Sequence, residues 1–223
     1  MKLIVRNTHK YLSFFISIQL LLWTISGIYF AFNKIENVRG EQYRLQSPSS
    51  FNFKNIEFEI PEATSAVVKK RLDKTIVVAS TKDGMRYFDE AGDPLEKISF
   101  DEAKMIVAKN TLLRPVVVEE INEPKAGSEF RGRQLPIYKV ITHNANGKEI
   151  NAYLNVFSGD IEAIRSAQWR IWDVMWGLHI MDWQERDNID NMLLKIFSIL
   201  ALISSLSGIL LFFKLDTRTE TTS

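Results

Sequence analysis

The 223 residues allow one or two compact domains, and 28 basic against 27 acidic residues leave a formal charge of only +1. That balance excludes a generic nucleic-acid binder, and 46% apolar content excludes intrinsic disorder. Cysteine is absent, which removes disulfides, thiolate zinc sites, cysteine-ligated clusters and covalent c-type haem. Metal chemistry is left to carboxylates or to His9, His143 and His179.

The mean hydropathy of −0.08 averages two unlike materials. Residues 11–32 (YLSFFISIQLLLWTISGIYFAF) and 196–213 (IFSILALISSLSGILLFF) hold no acidic, basic or histidine side chain. The first meets the roughly 20 apolar residues that a bilayer of about 30 Å requires, and the second does so once Leu193 and Leu194 are included. The first run is too long for a signal peptide and lacks a small-x-small cleavage site, so it is expected to stay as an anchor. Lys2, Arg6 and Lys10 precede it, and Lys214 and Arg218 follow the second. This charge pattern predicts both termini in the cytoplasm and residues 33–192 outside, periplasmic in a Gram-negative cell. The ten-residue head (1–10) and tail (214–223) leave no room for a nucleotide site, and no glycine forms a dinucleotide or P-loop motif. Small pairs Ser13/Ser17, Ala201/Ser205 and Ser204/Gly208 suit close helix packing. With two spans per chain, a homodimer gives the simplest four-helix bundle.

Between the spans, the spacing predicts an α+β domain over 33–165. PEATSAVVKKRLD (61–73) reads as a short helix started by Pro61. KTIVVAS and MRYFD read as a hairpin around Lys82-Asp83-Gly84. Ser99 then opens a helix, DEAKMIVAKNTLL, which is stopped at Arg114-Pro115. VVVEEI, LPIYKVITH and KEINAYLNVF follow as strands, the last two joined at Asn146-Gly147. YFDEAGDPLEKI and YLNVFSGDIEAI form a weak repeat, with Gly-Asp displaced by one residue. Together these predict two related units, each a helix on an antiparallel hairpin. His143 reads as a turn residue. The carboxylate groups Asp89, Glu90, Asp93 and Glu119, Glu120, Glu123 read as solvated surface.

Residues 166–184 form a Trp-rich segment carrying four of the five tryptophans. On a helix, Trp169, Trp172, Trp176, His179 and Trp183 fall within an arc of about 80°. An interfacial helix accounts for the tryptophans and less well for the histidine among them. His9, at the edge of the first span, either belongs to the basic flank or acts as a ligand. Ionisable groups at membrane depth are functional candidates.

RNTHKYLSFFISIQLLLWTISGIY, LPIYKVITHNANGKEINAYLNVFSGDIEAI and WGLHIMDWQERDNIDNMLLKIFSILALISSLSGILLF resemble the PepSY-associated transmembrane family. The most specific pieces are the histidine before span one, the Leu-Pro-x-Tyr hairpin closing on Gly-Asp, and the Leu-His before a second span that ends in Ser-Gly. The length is similar to that of its minimal two-span haem-containing ferric reductases, of the Vibrio type. The resemblance implies haem b with His179 and His9 as axial ligands. On the residues themselves, a dimer would pair each histidine with its symmetry mate, Trp176 and Trp183 would pack beside the porphyrin, and Gly27 and Gly208 would allow its close approach. The resemblance also implies reduction of Fe(III) or a ferric chelate in support of iron uptake, with electrons from quinol, reduced flavin or a partner reductase. The alternatives are a non-enzymatic PepSY module that binds or restrains a periplasmic protein, and the membrane anchor of a larger electron-transfer complex.

Overall fold

The computed structural model of the chain describes residues 2–45 and 58–216. Its elements, in order, are α1 (Lys2–Phe32), a single-turn α2 (Ile35–Val38), a 3₁₀ turn (Glu41–Tyr43), β1 (Ser65–Arg71), β2 (Lys74–Thr81), β3 (Gly84–Phe88), α3 (Phe100–Asn110), β4 (Arg114–Ile121), β5 (Ile137–His143), β6 (Glu149–Asn155), β7 (Ile161–Arg165), α4 (Ala167–Ile180) and α5 (Met192–Asp216). The protein is α+β, with two antiparallel sheets between two long apolar helices. It divides into two compact units, Met1–Lys34 with Ile171–Ser223, and Ile35–Arg170.

In the helical unit, Arg6–Phe32 and Met192–Phe213 are long and apolar enough to cross a membrane. Their 27 and 22 residues rise about 40 and 33 Å at 1.5 Å each. They present Phe14, Ile18, Leu21, Ile25 and Ile28 on α1, and Ile199, Leu202, Leu206, Ile209 and Phe213 on α5, as exposed side chains. So much bare apolar surface is costly in water and ordinary against lipid, which marks a membrane protein. The helices run antiparallel, since His9 meets Ser204 and Ser207 while Phe15 stacks on Phe197. α1 begins at Lys2, so the basic head continues the first helix. Of the cationic flanks read from the sequence, Arg218 lies outside the described residues.

The other unit holds two meanders, β1-β2-β3 and β4-β5-β6-β7. The predicted helix over 61–73 is a correction, because Ser65–Arg71 is strand β1, paired in full register with β2. Pro61 sits in a turn instead, where the Ala63 N–H donates to Ile60 O and Glu62 has φ 63°. Proline followed by a positive φ is the signature of a type II turn. Val67 and Val68 then face Val78 and Val77 across the ladder, where β-branched pairs pack well. The first repeat is therefore a meander with no helix of its own among the described residues.

The second unit matches its expectation more closely. The Ser99 hydroxyl accepts from the Glu102 N–H and caps α3. Ala103, Ile106 and Val107 of α3 bury against Val118, Val140, Ile150, Ala152 and Leu154. β7 is an additional strand, formed from the IEAI stretch that the repeat had marked. The repeat itself has a physical basis. The Asp89 carboxylate accepts from the Ala91 and Asp93 N–H groups, and the Asn155 side-chain oxygen accepts from those of Phe157 and Ser158. Each opens a side-chain-braced turn that passes through a left-handed glycine, Gly92 or Gly159. Chain closure spans Asp89 to Asp93 in one and Asn155 to Asp160 in the other, which is the displacement seen in sequence.

Candidate functional site

α4 ends where Met181 turns left-handed, at φ 57°, and the Asp182 N–H donates back to Gly177 O at 3.0 Å. That is the Schellman closure with methionine in the usual glycine place. The last carbonyls of a helix have no partners within it. Here each of the final four is met. Gly177 O accepts from Asp182, Leu178 O from Gln19 Nε2 at 3.2 Å, His179 O from Trp23 Nε1 at 2.7 Å, and Ile180 O from Asn191 Nδ2 at 2.9 Å. Two of those donors come from α1, so its side chains hold the end of α4. Asn191 also caps α5, its side-chain oxygen accepting from the Leu194 N–H. Arg186 folds across Gly177 to the buried Asp173, with Nε 3.1 Å from Oδ2.

The His179 ring is fixed as firmly as its backbone. Its Nδ1 lies 2.7 Å from Ser26 Oγ. Ser26 is 1% exposed, and its hydroxyl lies 2.7 Å from Leu22 O and 3.1 Å from Trp23 O. A serine has one proton to give. Where that proton goes to the α1 carbonyls, Ser26 accepts from the imidazole, which assigns the His179 proton to Nδ1. Nε2 keeps its lone pair and has no hydrogen-bond partner among the described residues. Burial pushes the His179 pKa below the ordinary histidine value, which favours this neutral form. An imidazole with one nitrogen tied by a hydrogen bond and the other bare is the arrangement of a metal-binding histidine.

Aromatic rings surround it. Trp172 and Trp176 stack at 5.5 Å, Trp176 and His179 lie nearly parallel at 6.4 Å, and Phe30 meets His179 edge-on at 5.5 Å. The predicted stripe runs along α4 from Trp169 to His179 and fails at its C-terminal end. Trp183 lies beyond the helix terminus and is 59% exposed. Trp169 belongs to the β-sheet unit, with the Arg165 and Arg131 guanidiniums 4.4 and 5.5 Å from its ring. Gly27, next to Ser26, has no atom within 4 Å of the position a Cβ would take.

His9 has a similar construction between α1 and α5. Its Nδ1 lies 2.8 Å from Ser207 Oγ and 3.1 Å from Ser204 O, and Ser207 itself donates to Ser204 O. The proton again falls on Nδ1, and Nε2 has only Ser13 Oγ at 3.5 Å, too long for a firm bond. A Cβ on Gly208 would sit 3.0 Å from His9 Cε1, so this glycine makes room for the imidazole itself. Along α1, Ser26 is 17 residues from His9, about 25 Å of rise, so the two histidines cannot share one ion.

Elsewhere the candidates resolve into structure. His143 ends β5 in register with Glu149 and Arg114. Glu119 pairs with Lys139 and Glu120 with Lys97. No cluster of three or more metal-ligating side chains occurs among the described residues. Sequence reasoning missed the network around Glu129, which accepts from Asn151 Nδ2 and Tyr153 OH at 2.8 Å and from Arg170 Nε at 2.5 Å. Burial raises the Glu129 pKa, but those hydrogen bonds and the Arg170 charge outweigh it and leave the group below the usual carboxylate range. Burial, followed by the charge of Arg133, pushes Arg165 down to about 10.

No family model matches the chain, and neither a curated protein nor a solved structure matches it.

Proposed function

We propose that the protein is a b-haem membrane protein of the PepSY-associated type that delivers single electrons to ferric iron outside the cytoplasm, in support of iron uptake. The observation that carries the reading is the His179 imidazole, its Nδ1 proton spent on Ser26 and its Nε2 bare amid Trp172, Trp176 and Phe30. The residues present fit haem: a neutral histidine with a second-shell partner, flat aromatic neighbours, and the open space at Gly27. Bound haem would supply reversible one-electron chemistry at iron. The chain's own contribution is orientation, Trp23 fixing the His179 backbone and Ser26 its ring and tautomer.

His9 enters as a second ligand, because its Nδ1 is tied to serine in the same way. One imidazole per site calls for a second from elsewhere, and a homodimer supplies its symmetry mate. In this reading the termini are cytoplasmic, residues 33–192 face the periplasm of an inner membrane, and Trp176 would help hold the haem. Each Fe(III) reduced takes one electron, drawn from quinol, reduced flavin or a partner reductase. The test is stoichiometric. Purified protein, reduced with dithionite, desalted anaerobically and mixed with ferric citrate, should reoxidise and release one Fe(II) per haem to a ferrous chelator. A reduced haem band that persists for minutes with ferric citrate in excess would refute the reductase role.

A further inference from the structure

The β-sheet unit contains a cleft of about 420 Å³, walled by the 3₁₀ turn with Arg44 and Leu45, the end of β1 at Lys70–Leu72, Ile106 of α3, and the 158–161 turn. We propose that this cleft binds a small organic acid, one carboxylate on an apolar body of about 20 non-hydrogen atoms, a size suited to such a volume. The site is independent of the histidines, and its test does not depend on haem.

The charges in the cleft are unequal in their commitments. Its two carboxylates are already paired. Asp160 accepts from Lys69 Nζ at 2.6 Å and Ser158 Oγ at 2.9 Å, and Glu41 lies 3.6 Å from Arg44 Nε. Its three cations keep donors in reserve. Arg71, only 9% exposed, is ion-paired with Glu102, 3.0 Å from Nε, and donates Nη1 to Phe157 O, and Arg44 donates Nη2 to Ile161 O. Five donors per guanidinium leave Arg71 Nη2 and Arg44 Nη1 without partners among the described residues. Lys70 has no ion pair among them. Three cations against two carboxylates leave one positive charge, which matches a monoanion. The paired Asp160 and Glu41 would repel a compact dianion such as phosphate more strongly. Leu45, Leu72, Ile106 and Ile161 supply the hydrocarbon part of a lining that also holds the polar Asn110 and Ser158.

Gly159 shapes the floor. Its φ is +72°, and a Cβ there would stand 2.5 Å from Ile106 Cδ1. The turn therefore lies flat against α3, and the carboxylate of a guest can meet Arg71 Nη2 or Arg44 Nη1 in a charge-assisted pair.

The experiment uses the full chain in an uncharged maltoside detergent, titrated calorimetrically with N-acetyl-leucyl-leucine and with its C-terminal amide. Saturable binding of the acid is expected, with the amide weaker by at least about ten-fold, the worth of one charged hydrogen bond. Lys70→Gln, an exposed change that leaves the packing intact, should weaken the acid several-fold, and Arg44→Gln about ten-fold or more. Lys125→Gln should change nothing. The proposal is overturned if the acid fails to saturate, if acid and amide bind alike, if Lys70→Gln matches wild type, or if sodium sulfate competes as well as the acid.

Discussion

Replacing Ser26 by alanine removes a single oxygen from a site that is 1% exposed. Two α1 carbonyls lose an extra donor but keep their helical bonds, so the backbone has little reason to move. His179 Nδ1, now 2.7 Å from nothing that accepts, either keeps its proton unsatisfied, at about 1–3 kcal/mol, or transfers it to Nε2, which abolishes the lone pair that would bind iron. Both routes weaken ligation. Loss of an outer-shell partner typically costs about 10- to 100-fold in metal affinity, roughly 1.4–2.7 kcal/mol. The assay is the rate of haem transfer from purified protein to an excess of a haem-scavenging apoprotein, compared for wild type, Ser26→Ala and Ser26→Thr. Ser26→Ala should lose haem at least ten-fold faster, and Ser26→Thr, which keeps a hydroxyl, should stay near wild type. Equal rates for wild type and Ser26→Ala would refute the tautomer argument.

Other consequences follow from the same contacts. Glu129 has a folded-state pKa below its unfolded one, so its stabilisation is full above the unfolded value and is lost as pH falls through the folded value. Glu129→Gln should lower stability at pH 7 by about 1–3 kcal/mol and flatten the acid limb of a denaturation profile, whereas an unchanged profile would remove Glu129 from its hub role. Gly177→Ala places a Cβ 2.6 Å from Arg186 Cγ and 2.9 Å from Asp182 O. It should cost about 1–3 kcal/mol, seen as faster proteolysis in the 181–190 loop. Gly208→Ala should push the His9 ring off α5 and lower the melting temperature of the helical unit, with no change in the spectrum of a haem held by His179.

The legibility of this chain follows the range of the interactions. Both apolar helices, the Ser99 cap and the Asn146-Gly147 hairpin depend on neighbours in sequence, and all were readable. β1 was not, because PEATSAVVKKRLD carries a helix-like opening whose proline serves a turn, and only pairing with β2 decides the outcome. Trp183 fell off the stripe because periodicity cannot see the left-handed Met181 that ends the helix. His179 was legible as a candidate, but its tautomer was not. Ser26 lies 153 positions away and carries no motif. The Glu129 network, gathered from Asn151, Tyr153 and Arg170, was invisible for the same reason, since spacing in sequence says nothing about which strands become neighbours.

The central claim is that His179 binds haem through Nε2. It is tested most directly by the optical spectrum of detergent-purified protein from haem-replete cells, air-oxidised and then dithionite-reduced, beside His179→Ala. The account predicts a Soret band that shifts and sharpens on reduction in the wild type and disappears in His179→Ala, while the variant keeps the wild-type circular dichroism. A colourless wild type, or a Soret band that survives in His179→Ala, would contradict it.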